Sequence, residues 1–155
     1  MVYMKTLVLL ITLILAGCAS PPKTIGEFYT EKYIRQDLCS KHSVEETLSI
    51  LYKKSVQCYQ REITSIIPIL TVGAGVYLNQ GSYVEYRTLK DGTEQLALFG
   101  YANSNSFYQQ LIEIKESESC SALVHVYEIS PGWKKHTARV EGWLQGIEAE
   151  SCGLW

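Results

Sequence analysis

The first apolar stretch of the chain is continuous rather than periodic. Leu7 to Gly17 is interrupted only by Thr12 and sits behind a single cation, Lys5. Such a stretch rises roughly 16 Å as a helix, about half a hydrocarbon core, so it predicts a secretory signal segment and not a membrane span. Further on, the pattern becomes helical. Ser43-Val44-Glu45-Glu46 has the form of a capping box, and Val44, Leu48, Leu51, Tyr52 and Tyr59 follow at helical spacing with Glu45, Lys53 and Lys54 toward the other side. A weaker helical spacing lies upstream in Phe28, Tyr33, Ile34 and Leu38.

From Ile66 to Ile129 the period changes to that of strands and turns. Ile66–Leu78 is apolar and β-branched but broken by Pro68 and Gly73-Ala74-Gly75, which predicts an edge or bulged strand. Asn79-Gln80-Gly81-Ser82 reads as a turn, and Tyr83–Arg87 alternates as a half-buried strand should. Asp91-Gly92 is a hairpin signal leading into Leu96–Phe99, and Asn103–Ser106 turns the chain into Phe107–Lys115. Ala122–Ile129 is a further strand. At the end, Ser130-Pro131 has the form of a helix start, Gly146 that of a C′ residue, and Trp133, Val140, Trp143, Leu144 and Ile147 make a helical stripe. These elements predict an α+β domain over residues 25–155. In it, an antiparallel meander of four or five strands lies between an N-terminal helix (about 43–59) and a C-terminal helix (about 131–145) packed on one face.

The signal segment ends in Leu15-Ala16-Gly17-Cys18. All four positions resemble the lipobox of bacterial lipoprotein precursors, at the right distance from the positive n-region. The resemblance implies cleavage between Gly17 and Cys18 by signal peptidase II, a diacylglyceryl group on the Cys18 thiol and, in many species, an N-acyl chain such as palmitate. Two or three acyl chains hold a protein on a bilayer far more firmly than one. No Asp follows Cys18, which favours the inner leaflet of the outer membrane, facing the periplasm, if the source is Gram-negative. Residues 1–17 are thus read as signal peptide and 18–24 as lipidated Cys18 plus a tether, whose Pro21-Pro22 favours polyproline II. Its six residues after Cys18 reach only about 20 Å, so the folded part is expected beside the lipid.

Composition narrows the field of functions. The 14 Lys+Arg against 16 Asp+Glu leave a formal charge of −2, which supplies no basic face for nucleic acid. Cys39, Cys58, Cys120 and Cys152 remain after the anchor, an even number in an oxidising compartment, and predict two disulfides. A helix running intact from Ser43 to Cys58 separates its ends by about 22 Å, so Cys39–Cys58 is disfavoured. A last strand starting near Cys120 and a helix reversing over it are expected to bring Cys152 back to the Cys120 end. Five strands would put Cys58 at that end and four would put Cys39 there, so the pairing stays open.

Candidate chemistry is sparse. No C-x-x-C, P-loop, G-x-S-x-G, dinucleotide fingerprint or H-E-x-x-H occurs, and no His has zinc-ligand spacing from a cysteine pair, so neither metal nor cofactor is expected. His42 falls in a polar loop, His125 in the last strand and His136 near the last helix. A Cys120/His125 pair lies about 16 Å apart along a strand and forms no local dyad. Of the two aspartates, Asp37 and Asp91, the second serves a turn. Glu113, Glu116 and Glu118 read as exposed turn charges. The excess is in tyrosine: 11 Tyr against 3 Phe, with Tyr77, Tyr83, Tyr86, Tyr101, Tyr108 and Tyr127 in or beside strands. They either fill a sheet with one wet face or form a contact face for a partner. Trp155 either plugs the core or presents an anchor. The sequence therefore points to a non-catalytic envelope lipoprotein that binds or assembles with an envelope protein. Its rivals are a small-ligand or glycan binder using the Tyr-rich face, and a cell-envelope hydrolase with a non-local site.

Overall fold

The computed structural model describes residues 20–69, 74–129, 134–147 and 152; the side chains of residues 65–69, 74–78 and 134 lie outside it. The lipobox residues Leu15, Ala16, Gly17 and Cys18, the Ser130-Pro131 helix start, Trp133 and Trp155 all fall outside the described residues. Among those described, no helix is long and apolar enough to cross a membrane.

The architecture is α+β. A short 3₁₀ turn (Ile25–Tyr29) precedes strand β1 (Ile34–Ser40), helix α1 (Val44–Tyr59), strands β2 (Arg61–Ile69), β3 (Ala74–Thr88), β4 (Glu94–Ala102), β5 (Asn105–Lys115) and β6 (Ala122–Glu128), and helix α2 (Lys134–Leu144). The six strands form one antiparallel sheet in the order β1-β6-β5-β4-β3-β2. The meander of β2 to β6 has five strands, and β1 adds a sixth at its far edge, exceeding the expected four or five. The helical reading of Phe28–Leu38 is therefore corrected. Ile34, Gln36, Leu38 and Ser40 face inward while Arg35, Asp37 and Cys39 face out, a period of two that completes the ladder along β6.

Two other boundaries differ from expectation. Ile66–Leu78 is not one strand but parts of β2 and β3, with Pro68 on the edge strand, where a missing N–H costs least. Asn79–Ser82 is not a turn. β3 runs through it because Gln80, Gly81 and Ser82 are paired on both sides, to β2 and to β4. Gly81 makes this crowded point passable, since the Tyr101 ring lies 2.6–2.8 Å from where a Cβ would stand. The Asp91-Gly92 turn forms as read, with Gly92 at φ 84° and the Asp91 carboxylate accepting from the Thr93 N–H at 3.0 Å.

α1 starts at the expected capping box: the Ser43 hydroxyl accepts from the Glu46 N–H and the Glu46 carboxylate from the Ser43 N–H. It packs over β3–β5, and α2 packs beside it over β1 and β6. The core between the helices and the sheet contains Leu51, Tyr59, Leu96, Leu98, Ile112, Ile114, Val124, Val126, Val140 and Trp143. Val44 and Leu48 pack at its margin, whereas Tyr52 and Ile147 remain exposed. α2 is docked by a carboxylate from the sheet. Buried Glu128 accepts from the Thr137 N–H at 2.9 Å and from the Thr137 hydroxyl, near the N-terminal end of the helix, where a negative charge is favoured.

The four cysteines form two disulfides, Cys39–Cys120 with Cα atoms 5.6 Å apart and Cys58–Cys152 at 4.7 Å. The first ties β1 to the start of β6. The second ties the end of α1 to the segment beyond α2. The two bridges lie at opposite ends of the sheet as well as on opposite sides. Cys39 and Cys120 flank the paired residues Ser40 and Ala122, whereas Cys58 precedes Arg61, opposite Ser82 near the β4–β5 turn. Contrary to expectation, Cys152 therefore does not return to the Cys120 end.

Candidate interaction face

Side chains on the sheet alternate between the helix side and an outer face, and the outer face holds the candidate site. In register it carries Tyr83, Glu85 and Arg87 of β3, Gln95, Ala97, Phe99 and Tyr101 of β4, Tyr108, Leu111 and Glu113 of β5, and His125 and Tyr127 of β6. Four of the six tyrosines singled out in the sequence, Tyr83, Tyr101, Tyr108 and Tyr127, thus share one face. Tyr86 does not: it lies on the helix side, half-exposed, 6.3 Å from the Tyr52 ring. The side chain of Tyr77 is outside the description.

One half of this face is roofed. The 3₁₀ turn lays Ile25 and Phe28 onto Ala97, Leu111 and Tyr127, with Tyr33 closing the cluster. Beneath this roof sits a buried carboxylate, Glu113, only 8% exposed. Its Oε1 accepts from the Tyr29 hydroxyl at 2.7 Å and from Gln95 Nε2 at 2.6 Å, and its Oε2 accepts from the Tyr127 hydroxyl at 3.0 Å. Three donors supply hydrogen bonds that offset the burial of this carboxylate in a poorly hydrated place. Burial first, then the adjoining Glu113 charge, pushes the Tyr29 and Tyr127 phenols up to about 12. The reading of Glu113 as an exposed turn charge is therefore corrected: it lies inside β5, two residues before the strand ends, and faces the 3₁₀ turn. Glu116 and Glu118 are exposed, as read.

The other half is less covered: Tyr83 is exposed, while Phe99, Tyr101 and Tyr108 are half-buried, Tyr108 against the edge of the roofed cluster. Phe99 stands between Tyr83, with ring centroids 4.8 Å apart, and Tyr108, 5.0 Å away and edge-on. Tyr101 lies beside them across Gly81. The Tyr108 hydroxyl donates to Glu85 at 2.9 Å, and burial followed by Glu85 raises its phenol to about 12. This half begins where the N-terminal segment crosses: the Pro22 carbonyl accepts from the Tyr108 N–H at 2.8 Å. At the same level β5 bulges, with Leu98 opposite Gln110 but Phe99 opposite Tyr108, so Gln109 has no cross-strand partner on β4 and its amide folds over Gly100.

The remaining candidates do not assemble a catalytic constellation. His125 is buried with Nδ1 2.6 Å from Asp37 Oδ1, and Asp37 also meets Arg35 at 3.0 Å. Burial works to raise the Asp37 carboxyl, but the His125 hydrogen bond and the neighbouring positive charges outweigh it and hold it below its ordinary value. This resembles the orienting half of a triad, yet the sulfur of Cys120, the nucleophile drawn with His125 on paper, is in the disulfide with Cys39. His42 is paired loosely with Glu46 at 3.7 Å. His136 is buried under α2, its Nδ1 3.0 Å from the Tyr59 hydroxyl, which also accepts from Arg139. Among the described residues no group of His, Cys, Asp or Glu is arranged to hold a metal ion.

Sequence reasoning missed Tyr29, Gln95, Glu85 and Phe99, whose roles depend on cross-strand neighbours. The one available signal is a charged Glu113 set between Ile112 and Ile114 in a strand that is otherwise buried. No protein-family model, curated protein or solved structure matches this chain.

Proposed function

We propose that this chain is a membrane-anchored bacterial envelope lipoprotein, without catalysis of its own, that holds a protein partner on the partly exposed aromatic half of the outer face of its sheet. The anchor rests on the lipobox resemblance at Leu15-Ala16-Gly17-Cys18, with the outer-membrane inner leaflet as its place in a Gram-negative cell. The observation that carries the partner is the Tyr83–Phe99–Tyr108 row with Tyr101 beside it. These rings are rigid and amphipathic and offer contact area at little entropic cost; Tyr83 is exposed and the other three half-buried, which suits a protein surface laid across them.

Two measurements test this reading. Cys18→Ala is expected to abolish the acyl mass increment and membrane fractionation; unchanged mass and sedimentation would reject the anchor. A photo-crosslinking residue at Tyr83 is expected to give a discrete adduct with an envelope protein in cells, and the same probe at Lys53 on the exposed side of α1 none. Adducts from Lys53 alone would move the interface off the sheet.

A second reading, a small-ligand or glycan binder, draws on the shallow recess beside the 3₁₀ turn lined by Phe28, Tyr29, Tyr33, Arg35 and Tyr127. Tyr29→Ala weakening a bound glycan without changing the Tyr83 adduct would favour it.

A further inference from the structure

The long strand β3 serves two different partners. Its residues Ala74–Ser82 pair with β2, and Gln80–Thr88 pair with β4, so only Gln80, Gly81 and Ser82 are flanked on both sides. β4 ends at Ala102, opposite Gln80, and the Asn103 N–H and side chain pin the turn there to Asn79. Beyond that line β2 and β3 continue as a two-stranded arm. The six steps from Gln80 to Ala74 carry it about 20 Å past the end of the six-stranded body.

The arm's sequence is unlike the rest of the chain. No Asp, Glu, Lys or Arg occurs between Glu62 and Glu85. In the register Ile63 lies opposite Gln80, Ile67 opposite Val76 and Ile69 opposite Ala74. A two-stranded ribbon is at best marginally stable in water, and one whose sequence is uncharged and rich in apolar residues gains from an apolar surface to rest on.

The N-terminal segment indicates which surface that is. Ser20 is held to the body by Lys32 Nζ at 3.0 Å and the Tyr33 hydroxyl at 3.2 Å, both donating to its carbonyl, and Pro22 is bonded to Tyr108. Tyr108 lies three residues into β5, at the end of the sheet from which the arm departs; the Asp91-Gly92 turn and the Cys39–Cys120 disulfide are at the opposite end. Cys18 is two residues from Ser20, at most about 7 Å along the chain. The site of acylation and the arm therefore leave the body at the same end, and a bilayer holding the acyl chains meets the arm.

We propose that the β2–β3 arm is a second membrane contact, lying in the lipid interface of the leaflet that holds the Cys18 acyl chains. The proposal rests on the lipoprotein reading. Depth follows from the backbone. Among the described residues the outer edge of β2 and the Ala74–Asn79 edge of β3 have no strand beside them, and open edges are not tolerated in hydrocarbon. The arm thus lies among headgroups and upper acyl segments, where water and headgroups satisfy those edges. Two contacts at one end also fix the body's orientation, with the aromatic face standing roughly upright on the membrane rather than pressed against it.

The test uses the acylated protein with its native sequence, reconstituted on phosphatidylethanolamine–phosphatidylglycerol vesicles that contain a phospholipid with a photoactivatable diazirine in its acyl chain. After flotation, illumination, reduction and trypsin digestion, cleavage at Arg61 and Arg87 releases the arm in one peptide, residues 62–87, and cleavage at Lys90 and Lys115 releases residues 91–115 as the comparison. Lipid adducts are expected several-fold enriched in the arm peptide. Protein that floats yet labels both peptides equally overturns the arm contact and leaves the anchor standing. Protein that fails to float overturns the lipoprotein reading, and the arm proposal with it.

Discussion

Glu113 allows a close test of how the outer face is held together. Its carboxylate takes three donors, from Tyr29, Gln95 and Tyr127. In Glu113→Ala the Gln95 amide keeps its 2.7 Å bond to the Tyr29 hydroxyl, but the Tyr127 hydroxyl, on a residue only 7% exposed, loses its acceptor. One buried donor left unsatisfied costs about 1–3 kcal/mol, and loss of the charge-assisted bonds adds to it. The expected total is about 3 kcal/mol. In Glu113→Gln the amide oxygen keeps two of the donors and the Tyr127 hydroxyl can rotate to accept from the new NH₂, so only charge assistance is lost, about 1 kcal/mol. Urea denaturation is expected to show a lower midpoint at unchanged slope in both variants. Alkaline titration of Glu113→Gln is expected to bring the Tyr29 and Tyr127 phenols part of the way down from about 12, since burial, the larger cause, remains. A loss under about 1 kcal/mol for Glu113→Ala, or equal losses in the two variants, would refute the assignment of the carboxylate as the organising acceptor.

The buried histidine gives a pH dependence with a definite sign. Burial first, then the Arg139 and Lys135 charges, lowers the His136 pKa to about 4. The neutral ring's contribution is therefore present above the unfolded value near 6.5 and is lost as the pH falls through about 4, approaching roughly 3 kcal/mol. Thermal unfolding across that range is expected to show a steeper acid decline than His136→Gln, and parallel curves would contradict it. Replacing Cys58 and Cys152 by Ser opens a link across a sequence separation of 94 residues and is expected to cost up to about 4 kcal/mol. A denaturation midpoint equal to that of the wild type under the same non-reducing conditions would show that this bridge does not constrain the folded chain.

How much could be read along the chain varied from element to element. α1 was legible because its start is a local chemical device: Ser43 and Glu46 satisfy each other's backbone donors whatever surrounds them. The Asp91-Gly92 turn was legible for the same reason, through a positive φ and a side-chain bond two residues away. β1 was not. Residues 33, 34 and 38 fit a helical spacing, and only the vacant edge of β6 makes the two-residue period of Ile34–Ser40 the better solution. Asn79–Ser82 looked like a turn because its residue types favour one, but pairing on both sides overrides that preference.

The cysteines and tyrosines show the same division at the level of the site. Composition alone indicated two disulfides and an aromatic excess, because redox chemistry and residue type are properties of single positions. Which cysteines meet depends on β1 joining β6 and on β2 sitting offset along the far half of β3, both long-range pairings. In the same way, alternation along each strand is local, but the offset between strands is not. The register of β3, β4 and β5 is what sets Tyr83, Phe99 and Tyr108 in one row, while the 3₁₀ turn folding back over Ala97 and Leu111 is what turns Glu113 from a surface charge into a buried acceptor. Local bonds and periodicity act within a few residues and can be read from them; burial and register are set by partners far along the chain, so only the folded arrangement decides them.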